Sequence, residues 1–174
     1  MNDLRYPIGT YDPPASIPDA DLDRWIGQIA SLPAAMRAAV DGLSETDLDT
    51  PYRPGGWTIR QVVHHTADSH LNALARVKLT LTEETPTIRP YDEGAWAELG
   101  DYSLPVEVSL AFLDALHARW TALLHSLGPQ DFGRAFYHPA AEQTMRLDYA
   151  TGMYAWHGRH HTAHVTRWRE REGV

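Results

Sequence analysis

From residue 18 onward the apolar positions of the chain recur at intervals of three and four. Trp25, Ile29, Leu32, Met36, Val40 and Leu43 follow a start in which Asp19 and Asp21 suit a first helical turn. This spacing predicts a first helix, with Pro33 as a place for a kink. The connection SETDLDTPYRPGGW, rich in Pro and Gly, ends at Trp57. A second helix is predicted over residues 58–82, with Ile59, Val62, Val63, Thr66, Ala67, Leu71, Leu74, Val77 and Leu81 on one broad face. The next stretch, EETPTIRPYDEGAWAELGDYSLP, is too long and too interrupted by proline for a simple turn, and Trp96 and Leu99 favour an ordered loop. A third helix over residues 105–127 turns Val108, Phe112, Leu116, Trp120 and Leu123 or Leu124 to the core and stops at GPQDFG. RAFYHPAAEQTMRLD has room for a short extended pair. A fourth helix over residues 147–170 carries Ala150, Tyr154, His157, His161, Val165 and Trp168 in one stripe.

Ahead of these elements, residues 1–17 read as an extended surface arm anchored by Tyr6, Ile8 and Tyr11. Four long helices without a strand system predict an all-α four-helix bundle, and 174 residues suit one domain spanning 1–174. The long ordered loop between the second and third helices permits a crossover in place of up-down-up-down order.

Charge and composition narrow the function classes. A formal net charge of -8 argues against nucleic acid, whose phosphates require a surplus of Lys and Arg. No apolar run approaches the roughly 20 residues of a bilayer span, and the N-terminus has neither the basic start nor the apolar core of a secretory signal. A cytoplasmic protein without a membrane partner is the expectation. With no cysteine in the chain, disulfides, thiolate ligands and a cysteine nucleophile are all excluded, and any thiol must arrive with a substrate.

The chemistry of the chain therefore falls on its histidines. WHGRHHTAHV places four of the chain's ten histidines within residues 156–165. Residues four apart share a helix face, so His157 pairs with His161 and His160 with His164. The first pair continues the stripe from Tyr154 to Trp168, which points inward; the second lies to one side, with Arg167 following toward solvent. A lone histidine is more often a surface or hydrogen-bonded core residue than a ligand. Two in the core register of a bundle reverse that preference, because facing helices of bundles build metal sites from inward side chains. A useful site needs a third ligand, and RQVVHHTADSH offers His64, His65 and His70. His70 projects near the centre of the apolar face, His64 flanks it, and His65 lies with Gln61, Asp68, Asn72 and Arg76 on the polar side. Periodicity does not choose among the three. His117, His125 and His138 are isolated and read as structural or exposed. Neither an HExxH motif nor a P-loop occurs.

YPIGTYDPP, TPYRPGGWTIRQVVHHTADSHLN, LTEETPTIRPYDEGAWAEL and YAWHGRHHTAHV together resemble the DinB-like superfamily, in its YfiT branch of metal-dependent hydrolases and bacillithiol transferases. The resemblance runs over essentially the whole chain. It implies a four-helix bundle that holds one divalent metal, zinc or nickel, with three histidines. The family's ligand on the second helix falls eight residues after a helix-starting Trp, which here is His65 after Trp57. Its HxxxH pair corresponds to His157 and His161. One departure is Thr66, where relatives commonly carry Leu. If His65 faces the metal, then Asp68, Asn72 and Arg76 become candidates to contact substrate, with Arg89, Tyr91 and Trp96 from the long loop. His160 and His164 become candidates to support the ligands. Homodimerisation is likewise an implication of the resemblance.

Three neutral imidazoles leave a divalent cation its charge and an open position, the arrangement of a catalytic site. Such an ion keeps a substrate thiol as thiolate or activates water. The expected function is a metal-dependent thiol S-transferase that joins a bacillithiol-like thiol to an electrophile. A metal-dependent hydrolase is the second expectation and a non-catalytic metal-binding dimeric bundle the third. The malate group of bacillithiol calls for cations near the metal, for which Arg76 and Arg89 are the candidates.

Overall fold

The start of one long helix is written into the chain by a short capping sequence. In the computed structural model, which describes residues 3–14 and 16–174, Thr58 caps α3 (Ile59–Thr82) with a reciprocal box. Its hydroxyl accepts from the Gln61 backbone N–H at 3.1 Å, while its own N–H donates to Gln61 Oε1 at 3.0 Å. Such a box satisfies two backbone donors that the first turn would leave unpaired, and a cap of this kind contributes about 1 kcal/mol. The other long helices are α1 (Asp19–Val40), which runs through Pro33, α5 (Val106–His125) and α7 (Leu147–Glu172). α7 ends where Gly173 takes a left-handed φ of 73°. Short helices α2 (Glu45–Leu48), α4 (Glu93–Trp96) and α6 (Pro129–Phe132) punctuate the connections. The predicted extended pair forms an antiparallel hairpin of β1 (Ala135–His138) and β2 (Gln143–Arg146). Met1, Asn2 and Ala15 of the predicted arm lie outside the described residues.

The four long helices form the predicted all-α bundle. α1 packs on α5 and α7, and α3 packs on the same two. α1 and α3 therefore face each other across the bundle, where an up-down order would set them side by side. Their connection crosses over the end of the bundle through α2, which Arg60 of α3 holds by ion pairs to Glu45 and Asp49. The long loop after α3 is ordered by the hairpin: Ile88 N–H donates to the Tyr137 carbonyl at 3.0 Å and Tyr137 N–H to the Pro86 carbonyl at 2.9 Å.

Two apolar clusters fill the interior. One joins Trp25, Ile29, Leu74, Val77, Trp120 and Tyr154; the other joins Met36, Val62, Val63, Leu110, Val165 and Trp168. A fully buried Val, Leu or Met such as Val63, Leu113 or Met36 stabilises the fold by about 1.5–3 kcal/mol. Along α3 and α7 the buried residues between the two clusters are mostly polar, and on both helices they include the histidines.

One expected face is corrected. Val108 and Phe112 are 52% and 40% exposed, and the buried residues of α5 are Leu110, Leu113, Leu116, His117, Trp120 and Leu124. A line drawn at strict intervals of four drifts by about 40° per step around a helix of 3.6 residues per turn. The real contact line alternates steps of three and four, so the two agree near Trp120 and part company in the first turns.

Candidate metal centre

The register of α7 sends His157 and His161 inward one turn apart, and α3 brings His65 to meet them. One ring nitrogen from each of the three lies within 4.8 Å of the others. His157 Nε2 and His161 Nε2 are 3.2 Å apart, and the His65 ring centroid is 5.5 Å from that of His157 and 4.8 Å from that of His161. Trp57, at the mouth of the helix, covers His65 at 4.5 Å between centroids. The Thr58 cap thus fixes the start of the helix seven residues ahead of the histidine. Against the sequence expectation of a polar flank, His65 is only 1% exposed.

Burial sets the electrostatics. It pushes His65 down to about 4, with the neighbouring His164 adding to the effect. Burial first, then the adjacent histidines, lower His157 and His161 well below the usual value. All three rings are accordingly neutral at pH 7, the form that binds a metal. His65 Nδ1 is buried without a hydrogen-bond partner among the described residues, a condition that costs about 1–3 kcal/mol when left uncompensated. Three converging neutral imidazoles with no protein cation or carboxylate among them fit a borderline-soft divalent ion such as zinc or nickel.

Around this trio the histidines continue. His160 and His164, which their spacing sets to one side of the stripe, are buried at 7% and 4% exposure. The N-terminal arm covers them: His164 Nε2 meets the Arg5 carbonyl at 3.1 Å, and Tyr6 packs on His160 at 5.9 Å between centroids. Periodicity within α7 carries no information about a segment that folds back from the other end of the chain. His70 is fully buried, as its central position implied. Its two ring nitrogens contact His117 Nε2 at 2.9 Å and His157 Nδ1 at 3.1 Å. His117, expected to be isolated, therefore belongs to the same polar layer. His64 is bonded elsewhere, to Ser109 and the Leu104 carbonyl.

A cavity of about 330 Å³ opens on His157, with Arg76, Tyr91, Glu93, His138 and Trp156 in its walls. Arg76 is 9% exposed and donates to the Tyr154 hydroxyl at 2.9 Å. Among the described residues it has no carboxylate within ion-pair distance. Burial raises Glu93 above the usual carboxylate range, and Arg76 partly offsets the rise. Of the candidate substrate contacts, Arg76 and Tyr91 line this cavity, and Trp96 stands behind Tyr91 at 4.3 Å between centroids. The other three are placed elsewhere. Asp68 accepts from the Tyr102 hydroxyl at 2.8 Å beside a separate cavity, Asn72 donates to the Asp68 carbonyl, and Arg89 is exposed. Glu93 and His138 were not singled out by the sequence. They reach the cavity from the long loop and the hairpin, where no periodicity marks a direction.

Known proteins share this arrangement of chain and helices. A protein of Bacillus mycoides (strain KBAB4) named "Putative metal-dependent hydrolase" is 54% identical over 171 residues, 98% of each chain. A Bacillus cereus (strain B4264) protein of the same description matches equally, at 54% over 98% of each chain. The solved structure of YfiT from Bacillus subtilis, described as a probable metal-dependent hydrolase with an unusual four-helix bundle topology, superposes with a TM-score of 0.95 at 53% identity over 98% of each chain. The DinB superfamily matches over residues 28–165. With its crossed bundle and near full-length identity to these relatives, the chain belongs to the DinB superfamily.

Proposed function

We propose that this chain is a metal-dependent enzyme in which His65, His157 and His161 hold one divalent cation, zinc or nickel, beside a cavity for a small anionic substrate. The observation that carries the reading is the convergence of three neutral imidazole nitrogens within 4.8 Å of one another. When bound there, the cation supplies Lewis acidity that keeps a thiol as thiolate or lowers the pKa of water toward neutrality. The residues of the chain do the rest. Arg76 offers a buried, fixed cation to a substrate carboxylate, Tyr91, backed by Trp96, walls the cavity against water, and the arm covers His164 beside the ligands.

The specific reaction we propose is S-transfer, with a bacillithiol-like thiol as nucleophile and a small electrophile as acceptor. The cysteine-free chain supports it, as does Arg76, which has no ion-pair partner among the described residues, because the malate of such a thiol needs a cation within reach of the site. A second reading, hydrolysis, is favoured by Glu93, a carboxylate in the cavity wall able to serve as base, and by the names of the relatives. We propose further that the protein acts in the cytoplasm as a homodimer, as its family resemblance implies.

The deciding experiment loads the protein with zinc or nickel and follows conjugation of bacillithiol to a model electrophile alongside thiol-independent ester or amide hydrolysis. Wild type turns over with thiol, and His65→Ala loses both bound metal and activity. Conjugation that persists after chelation or in the mutant overturns the site; turnover that needs no thiol and disappears in Glu93→Gln selects the hydrolase.

A further inference from the structure

We propose that His70, His117 and His164 are positioning residues. Two chains of neutral imidazoles, each anchored on a backbone carbonyl, fix the ring form in which His157 and His161 present their Nε2 lone pairs to the cation. The inference rests on the ligand set proposed above.

A neutral imidazole carries one N–H and one lone pair, and a carbonyl oxygen only accepts. His117 Nδ1 lies 2.6 Å from the Ile29 carbonyl oxygen, so the proton of His117 is on Nδ1 and its Nε2 is a lone pair. That lone pair faces His70 Nδ1 at 2.9 Å; His70 therefore donates from Nδ1 and accepts at Nε2. His70 Nε2 in turn meets His157 Nδ1 at 3.1 Å, which must be the donor. What remains on His157 is an unprotonated Nε2.

The second chain donates in the same direction, from the ligand toward a carbonyl. His164 Nε2 donates to the Arg5 carbonyl at 3.1 Å, which leaves Nδ1 as its acceptor. His161 Nδ1 faces that acceptor at 3.4 Å and donates to it, so the Nε2 of His161 is also a lone pair. The two chains end on the contact of 3.2 Å between His157 Nε2 and His161 Nε2. Two lone pairs make no hydrogen bond. A cation shared by the two nitrogens relieves the contact.

The carbonyls remove the degeneracy of each chain. Reversing the first would aim a lone pair of His117 at the Ile29 oxygen in an interior where His70 is 0% and His117 2% exposed, so no water replaces the lost bond. A half-turn of the His70 ring would set carbons against both neighbours. The first chain also crosses the whole bundle: Ile29 is on α1, His117 on α5, His70 on α3 and His157 on α7. A ligand histidine commonly donates its second nitrogen to a single oxygen; here that oxygen is reached through two further rings.

The test combines zinc affinity, by competition with a chromophoric chelator, with NMR of the 15N-histidine protein, which separates the two neutral ring forms. Zinc-loaded wild type should carry the proton on Nδ1 in His70, His117, His157 and His161, and on Nε2 in His164. His117→Leu removes the acceptor for His70 and frees the chain to reverse, so zinc binding should weaken by about 10–100-fold. His117→Gln, whose amide can donate to Ile29 and accept from His70, should stay within a few-fold of wild type, a rescue that a purely packing role would not give. Wild-type affinity in a folded His117→Leu overturns the relay, as does a proton on Nε2 of His70 or His117 in wild type. The ring-form spectrum decides by itself if His117→Leu fails to fold. His157→Ala serves as control: loss of binding there with unchanged affinity in His117→Leu defeats the relay alone, whereas wild-type binding in His157→Ala defeats the ligand assignment and the relay with it.

Discussion

Arg76 shows how one side chain acquires a role from its surroundings. Its guanidinium is buried, rests on the Tyr154 hydroxyl and meets no carboxylate at ion-pair distance among the described residues. A buried cation without a counter-charge is expensive, and a substrate anion is the partner that would compensate it. Replacing it with a linear apolar side chain, Arg76→Met, should raise KM for an anionic substrate by about 10–100-fold, as expected for a lost charge-assisted hydrogen bond of roughly 1.5–3 kcal/mol. Metal content should stay unchanged. Steady-state kinetics together with metal analysis checks this, and an unaltered KM would remove Arg76 from the substrate site. The sequence marked Arg76, on the polar side of a helix, but was silent on Glu93. A helix supplies a periodicity from which a direction can be read; the first residue of a four-residue helix in a long loop does not.

At the level of elements, the arm is held to α7 by a few specific contacts. Tyr11 donates to the Tyr149 carbonyl at 3.2 Å, and Trp156 donates to the Gly9 carbonyl at the same distance. The Tyr11 contact needs close approach at Gly152. A Cβ there would strike the Tyr11 hydroxyl and come within 2.8 Å of the Trp25 ring. Gly152→Ala gains about 1 kcal/mol of helix propensity, but overpacking against a buried indole costs about 1–3 kcal/mol, and the collision also lifts the arm from His164. We expect a net loss of stability in urea denaturation; a variant more stable than wild type would show that the arm and Trp25 yield freely. The long helices themselves were legible because each carries its own repeat, whereas the Thr58 box shows only in the structure. α2 and α4 were not, since four residues are too few to show a period. The first turns of α5 misled because two neighbouring stripes differ there only by a rotation about the helix axis.

For the whole molecule, the consequence is a polar layer of histidines enclosed between two apolar clusters. Burial lowers His65, His160 and His164 to about 4, and it lowers His64, His70, His117, His157 and His161 as well. In the unfolded chain each returns to the ordinary value of 6.5, so below that pH the unfolded state binds more protons than the folded one. The metal-free protein should therefore hold its full stability above pH 6.5 and lose it as the pH falls toward about 4, by up to about 1.4 kcal/mol per pH unit for each such histidine. Urea midpoints at pH 8, 6 and 5 test the point, and a flat profile would mean that the layer is open to water. What the sequence determined by itself was the helical class, the core register of His157 and His161, and the absence of a cysteine thiol from the chain, because each follows from local spacing or from residue count. Which histidine of α3 joins them is implied only by family resemblance. The tertiary structure alone decided that α1 lies across from α3, that the arm buries His160 and His164, and that Ile29, His117 and His70 line up behind His157. These are relations between segments far apart in the chain, created by packing, and no local period encodes them.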